Sequence, residues 1–170
     1  MAAWSSEVAN EFIRRALADR RPLTQMQLQK LVYIAHGWNL AINGMPLTID
    51  RPQAWEYGPV YRDLYRSLSR YGRNPVSQEI ANGDTTLGAY DVGPEADAPA
   101  LATFSDEEQA VIDRVYSSYS KYHAYQLSAL THREGTPWTQ IYSDGNGKFS
   151  EIPNEMIREH FVALAQNTAA

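Results

Sequence analysis

Apolar residues recur every three or four positions in two N-terminal segments, the spacing of one face of a helix. Over residues 6–19 this pattern predicts an amphipathic helix that ends before Pro22. A second helix is predicted over residues 24–43. Thr24 and Gln27 have capping-box spacing, in which a hydroxyl and a side-chain amide satisfy two free amide groups reciprocally.

The middle of the chain changes pattern. Residues 47–49 and 54–57 are short apolar stretches beside turn residues, which predicts a small β element. Gly58-Pro59 is expected to open a third helix that ends near residue 71. Glycine and proline then punctuate residues 73–104, so we expect a flexible insertion there, with strand-like pieces over 76–80 and 85–92 that suit one hairpin.

Helical patterns return in the C-terminal part. Ser105 and Glu108 form a second capping-box pattern ahead of a helix, and further helical segments are predicted over 124–131, 138–142 and 153–166. The predicted fold is mainly α (α+β with a minor β element). It is a compact bundle of about six or seven helices with a small β-hairpin, and residues 1–170 form one domain.

Composition narrows the classes of protein. The 170 residues are 44% apolar and include no cysteine, which excludes disulfides, a thiolate nucleophile and a cysteine-based zinc site. No apolar run approaches the roughly 20 residues needed to span a bilayer, and the N-terminus lacks a signal-peptide pattern. We therefore predict a cytoplasmic protein without a membrane partner.

Charge is unevenly distributed. Residues 1–75 carry ten Lys and Arg against six Asp and Glu, whereas residues 76–170 carry five against fourteen. This asymmetry fits either a basic face for an acidic partner or two halves that compensate each other within one domain. Nucleic acid is not expected as a direct partner, because the sequence pI is about 5.3, far below the basic values typical of such domains.

The histidines offer little catalytic chemistry. No pair of histidines has the spacing of a helical metal clamp, so no metal is expected. His36 lies beside an apolar stripe and is interpreted as a satisfied structural histidine. His132 and Glu134 could act as a base and its orienting group; alternatively, His132 caps the preceding helix and contacts Trp138. No motif supplies an activated nucleophile, so neither an enzyme nor a cofactor is predicted.

Aromatic residues are the positive signal. The chain holds 11 Tyr and 4 Trp, which combine large contact area with a polar group and suit both half-buried cores and interface hot spots. A partner-binding surface is predicted near the Gly58-Pro59 turn from position and residue type alone. Its candidate residues are Trp55, Tyr57, Tyr61, Arg62, Tyr65 and Arg66.

Two stretches of the chain together resemble a known family. The first is Leu28-Gln29-Lys30-Leu31-Val32-Tyr33-Ile34-Ala35-His36-Gly37-Trp38, followed by Gly44-Met45-Pro46-Leu47 and Ala54-Trp55-Glu56-Tyr57-Gly58-Pro59-Val60. The second is Leu130-Thr131-His132-Arg133-Glu134 with Pro137-Trp138, ending in Ile152-Pro153-Asn154-Glu155-Met156-Ile157. In order and spacing they resemble the Panacea domain, also called the SocA-like or GepA-like phage-associated domain, over roughly residues 8–165. The family-motif positions, structural or functional, are Gln29, Lys30, Gly58, Pro59, His132, Glu134 and Trp138.

This resemblance implies a mainly helical fold and an antitoxin role in bacterial and phage toxin–antitoxin pairs, with a prophage or mobile-element origin. It implies a cognate toxin as partner, neutralised by direct binding, but does not identify that toxin. In the SocA-like branch it implies instead a proteolytic adaptor that delivers the toxin to the ClpXP protease. A small hydrolase that uses His132 and Glu134 is the remaining alternative.

Overall fold

Helices dominate the computed structural model, which describes residues 2–85 and 93–169. Within these residues the α-helices are α1 (Ser5–Ala18), α2 (Gln25–Asn43), α3 (Arg62–Leu68), α4 (Asp106–Tyr119), α5 (Ala124–Thr131), α6 (Pro137–Tyr142) and α7 (Asn154–Ala169). Strands β1 (Gln53–Trp55) and β2 (Gly58–Val60) form an antiparallel hairpin. The predicted mainly α fold with a minor β element is confirmed.

Helix α2 is the centre of the bundle. It packs against α1, α3, α4, α5 and α7, and every residue from 28 to 37 is buried. Its start and end follow the sequence signals: Thr24 and Gln27 form the capping box, and Gly44 adopts the left-handed conformation at the C-terminal cap with φ 70°. The predicted second helix is confirmed.

Close contact between α2 and α7 depends on Gly37. A Cβ atom at this position would overlap the ring of Phe161. The Phe161 ring packs edge-on against two aromatic side chains. Its centroid lies 5.2 Å from that of Trp38 and 6.1 Å from that of Tyr33. The absence of a side chain at Gly37 therefore sets the distance between the two helices.

A Gly37→Ala variant should lower the free energy of unfolding by about 2 kcal/mol, because the added methyl group forces the Phe161 ring out of its packed position. Urea denaturation measures this loss. Adding Phe161→Leu should recover part of it, since the smaller side chain leaves room for the methyl group. Additive losses in the double variant would contradict the steric explanation.

The expected third helix does not begin at Gly58-Pro59. These residues form β2 instead, and α3 starts at Arg62 and passes into a 3-10 turn over Ser69–Tyr71. Gly58 has a φ of +115°, which suits the tight turn of the hairpin and not a helix start. The predicted β element is real but lies over residues 53–60; of residues 47–49, only Thr48 forms a bridge, with Ala3.

The described parts of residues 73–104 pack against α1. Their apolar residues Val76, Ile80, Ala100 and Phe104 are buried. The Asn10 side chain binds this segment from α1: Oδ1 accepts from the Ile80 amide at 2.7 Å, and Nδ2 donates to the carbonyls of Ile80 and Ala100. Residues 86–92 of the second strand-like piece predicted there lie outside the described residues.

The C-terminal helices begin within one residue of their predicted starts, and α7 ends at Ala169, three residues beyond its predicted end. The Ser105 hydroxyl accepts from the Glu108 amide, and the Glu108 carboxylate accepts from the Ser105 amide at 2.9 Å, which completes the capping box of α4. Thr136 caps α6 just before Pro137. In the part of the chain that the structure describes, no helix has the length and apolar character to cross a membrane.

Candidate partner-binding surface

Side chains from three helices hold the carbonyl groups of the hairpin. Trp138 Nε1 of α6 donates to Trp55 O at 2.7 Å, Ser128 Oγ of α5 donates to Tyr57 O at 2.7 Å, and Lys30 Nζ of α2 donates to Pro59 O at 3.0 Å. A two-stranded hairpin is marginally stable by itself. These bonds fix its backbone to the helical body.

Gln29 binds the end of the hairpin at two points. Its Oε1 accepts from the Tyr61 amide at 2.8 Å, and its Nε2 donates to the Tyr61 carbonyl at 3.1 Å. Both residues are buried, so these two backbone groups have no access to water. The family-motif position Gln29 is thus a structural clamp on the chain between β2 and α3.

Lys30 is a buried amine. Its side chain is 1% exposed, and no carboxylate lies within ion-pair distance among the described residues. Burial lowers its pKa to about 7. A Cβ atom at Gly58 would lie 3.1 Å from Lys30 Nζ and 2.9 Å from Thr131 Oγ1. Lys30 and Gly58 therefore form one packed unit beneath the hairpin turn.

His132 has the structural role that the sequence offered as one alternative. It is the C-terminal cap of α5, its Nδ1 lies 2.6 Å from the Ser128 carbonyl, and its ring centroid lies 3.9 Å from that of Trp138. Its Nε2 faces the carbonyl of Glu56 at 3.4 Å. Within the described residues no hydrogen bond joins His132 to the exposed Glu134, so the geometry of a base and its orienting group is not formed there.

His36 is a satisfied core histidine, as predicted. Its Nδ1 accepts from the amides of Leu47 and Thr48 at 3.2 Å, which leaves Nε2 as the donor to Asn154 Oδ1 at 2.9 Å. Burial lowers its pKa to about 4, so the ring is neutral near pH 7. The bonds join α2 to the start of α7.

Three aromatic rings form a half-exposed cluster on the outer side of the hairpin. Trp55 of β1 lies 5.0 Å from Tyr65 of α3 and 5.3 Å from Phe149 of the loop before α7, between ring centroids. Tyr65 is 42% exposed and Phe149 is 55% exposed. We call these three residues the aromatic surface. Such clusters of exposed rings are typical of binding sites.

The structure places most of the predicted partner-binding residues at or near this surface. Tyr57 is 64% exposed in the hairpin turn, and both Arg62 and Arg66 are exposed on α3. Tyr61 is the exception: it is 0% exposed, and its hydroxyl accepts from Thr48 Oγ1 at 3.2 Å inside the core. The placement of Tyr61 at a binding surface is therefore wrong, because the Gln29 clamp turns this residue inward.

A polar cleft adjoins the aromatic surface. It has a volume of about 410 Å³, and its lining residues are Ile49, Asp50, Arg51, Gln53, Arg62, Asp63 and Glu151. The Asp50 side chain binds the start of α1: its carboxylate accepts from the Ser5 amide at 2.8 Å and from the Ser5 hydroxyl. Burial is the main cause that raises the Asp50 pKa. No group of three His, Asp or Glu in the described ranges is placed to hold a metal ion.

Comparison with known proteins identifies relatives of this chain. The model of the family described as "Antitoxin SocA-like, Panacea domain" matches residues 28–139, the segment that contains the hairpin and the side chains that hold it. The chain is 32% identical over 141 residues to Antitoxin SocA of Caulobacter vibrioides (strain NA1000 / CB15N), an alignment that covers 82% of this chain and 70% of that protein. No solved structure matches the chain.

Proposed function

The chain belongs to the SocA-like antitoxin, Panacea domain family, and we propose that it neutralises a cognate toxin by direct contact and not by catalysing a reaction. The family relation supports the antitoxin role in general. Neutralisation by direct binding goes beyond this general role and is our own proposal. It agrees with the structural use of the family-motif side chains, since Gln29, Lys30 and Trp138 all bind backbone groups of the hairpin.

The proposal is supported mainly by the hairpin, whose backbone is bonded to the helices and which carries aromatic residues. Its carbonyl groups are bound by three helices, so Trp55 and Tyr57 are held in place before any partner arrives. A surface that is already ordered loses less conformational entropy on binding. Interface hot spots are enriched in Trp, Tyr and Arg. We assign toxin contact to Trp55, Tyr57, Arg62, Tyr65 and Arg66.

A growth-rescue experiment tests this function. The neighbouring open reading frame is expressed in bacteria with and without this protein, and growth is followed. Rescue of a toxic neighbour supports the antitoxin role, whereas a neighbour that is harmless alone, or toxic in both cases, contradicts the pairing.

The surface is tested with a double variant, Tyr65→Ala/Arg66→Ala. Both side chains are exposed, so the fold should persist, while the affinity for the toxin should fall by at least about 2 kcal/mol if they are hot spots. Tyr122→Ala is the matched control, because Tyr122 is equally exposed but lies between α4 and α5. Calorimetric titration measures both. Unchanged affinity in the double variant would remove these two residues from the interface.

The adaptor alternative shares the toxin contact but predicts that the toxin is destroyed. Toxin half-life is compared in cells with and without ClpXP, each with this protein present. Equal half-lives support neutralisation by contact alone. A half-life that is shorter only when the protease is present would replace our mechanism with delivery to the protease.

A further inference from the structure

Four exposed cations lie at one end of the helical bundle, outside the hairpin. They are Arg20, Arg21, Arg73 and Lys121, and we call them the basic end. We propose that the basic end is a second contact surface for the toxin and binds a segment of it that is rich in aspartate and glutamate. The inference rests on the proposed function and adds to it a further surface and the chemistry of the toxin segment that binds there.

Hydrogen bonds from the first turn of α2 hold two of the segments that carry these cations. The Gln25 side chain donates to Gly72 O at 2.8 Å, and the Gln27 side chain donates to Tyr122 O at 2.9 Å. Each of these carbonyl groups belongs to a residue that is adjacent in sequence to a cation of the basic end. The turn after α3 and the turn after α4 therefore meet at the start of α2.

The loop after α1 joins the same end of the bundle. The Leu23 carbonyl accepts from the Val76 amide at 2.8 Å, and the Asp19 carboxylate accepts from the Tyr116 hydroxyl of α4 at 2.6 Å. The two arginines of this loop lie between these two bonded residues. All four cations are thus carried by short segments whose backbones are fixed around one corner of the fold.

Positive charge at this corner is not neutralised within the chain. Among the described residues, no carboxylate lies within ion-pair distance of any member of the basic end. Two carboxylates placed here by their bonds have other partners: Asp19 accepts from Tyr116, and Asp84 pairs with Arg70 at 3.1 Å. Because the whole chain has a net charge of -5, acidic residues are plentiful, yet none pairs with these four cations.

Arg20 occupies a backbone position that suits glycine. It follows the C-terminal cap of α1 with a φ of +55°. Its amide donates to Leu17 O at 3.1 Å, and the Arg21 amide donates to Ala16 O at 2.9 Å, the Schellman pattern in which the left-handed residue is usually glycine. A cation here interacts favourably with the helix dipole, but Arg15 and Arg21 supply that interaction without left-handed backbone. Contact with an acidic partner explains an arginine at this position better than folding does.

An acidic protein segment fits the basic end better than nucleic acid does. Three of the four cations are arginines, whose planar guanidinium groups bind carboxylates and phosphates through paired hydrogen bonds. A nucleic acid, however, is a long polyanion that extends beyond one corner of the fold. Residues 76–170 carry fourteen Asp and Glu against five Lys and Arg, and this negative charge would repel it. A short acidic segment contacts the basic end alone.

Loss of charge at the basic end should slow association with the toxin. In Arg21→Gln/Arg73→Gln, the association rate constant for the neighbouring-gene product should fall about tenfold at about 0.05 M salt and about twofold at about 0.5 M salt, with little change in dissociation. Biolayer interferometry measures both rates. Arg114→Gln/Arg158→Gln is the matched control, because it removes the same charge from exposed positions within α4 and α7. Its association rate should change less than about twofold.

Arg20→Gly separates contact from folding. Glycine suits the left-handed backbone, so the melting temperature should stay equal or rise. Association at low salt should nevertheless slow about threefold, because one cation is lost. Thermal unfolding followed by circular dichroism measures the first effect. A lower melting temperature together with slower association would overturn the inference, since a structural role of Arg20 would then account for both.

The outcomes distinguish this inference from the proposed function. Absence of binding by the unaltered chain overturns both. An unchanged association rate in Arg21→Gln/Arg73→Gln, or equal slowing in the control variant, overturns the inference and leaves the antitoxin role standing. Fluorescence anisotropy with a labelled DNA duplex of about 20 base pairs at about 0.15 M salt tests the other polyanion. Duplex binding that is lost in the same double variant would overturn the acidic segment and assign the basic end to nucleic acid.

Discussion

Replacing Gln29 by alanine is expected to lower the free energy of unfolding by about 3 kcal/mol. The variant removes the acceptor of the buried Tyr61 amide and one of two donors to the Tyr61 carbonyl, which still accepts from the Tyr65 amide at 2.9 Å. The orphaned buried amide costs about 1–3 kcal/mol, and the cavity left by the side chain adds to the loss. Urea denaturation at neutral pH measures the change.

Gln140→Ala is the matched control. Its side-chain amide also donates to a backbone carbonyl, that of Gly135 at 2.9 Å, but Gln140 is exposed and water can replace the bond. We expect a loss within about 0.5 kcal/mol. Equal losses in the two variants would show that the clamp is not what stabilises the chain between β2 and α3.

The same Gln29→Ala variant should weaken toxin neutralisation at temperatures where the chain is still folded. The clamp positions the residue that follows the hairpin, and Trp55 and Tyr57 lie within that hairpin. A looser hairpin must be ordered during binding, and this ordering lowers affinity. Folded protein with full affinity would show that the hairpin is rigid without Gln29.

Helix positions were predictable because their signals are local. In a capping box the cap and its reciprocal partner lie three residues apart, so one turn of sequence determines where the helix starts. The two examples are Thr24 with Gln27 and Ser105 with Glu108. Apolar spacing then identifies the buried face. No knowledge of the rest of the chain is needed for either step.

The hairpin was misplaced because its determinants are distant. Gly58-Pro59 fits a helix start locally, but the bonds from Lys30 to Pro59 and from Gln29 to Tyr61 join residues about 30 positions apart. These contacts draw the segment into a strand and turn Tyr61 into the core. Local propensity is a weak guide where tertiary contacts decide the structure.

Phe149 was missed for a related reason. It follows a run of turn residues, where a single aromatic residue has no apolar period to mark it. Its place beside Trp55 follows from the pairing of the loop with β1, through the bond from the Phe149 amide to Ala54 O. The signal that sequence does carry is the presence of a large apolar residue in a segment that is otherwise polar.

The stability of the protein is expected to rise by about 3 kcal/mol between pH 7 and pH 9.5 because of Lys30. Burial lowers the pKa of this amine to about 7 in the folded state, whereas the unfolded chain keeps its proton until about pH 10.4. In this window the unfolded state binds more protons, so the free energy of unfolding increases with pH. Burial raises the pKa of Tyr33 and Tyr61, which acts in the opposite sense only above about pH 10.

Two variants of Lys30 isolate this effect. Lys30→Met removes the titrating group, so urea denaturation from pH 7 to pH 9.5 should give a nearly flat profile. Lys30→Arg keeps a charge that cannot be lost in this range, so it should be less stable than the unaltered chain by about 4 kcal/mol at pH 9.5, where the native amine is neutral. A profile for Lys30→Met as steep as that of the unaltered chain would assign the pH dependence to another group. Because Lys30 binds the Pro59 carbonyl beneath the hairpin, the arginine variant should also lose affinity for the toxin.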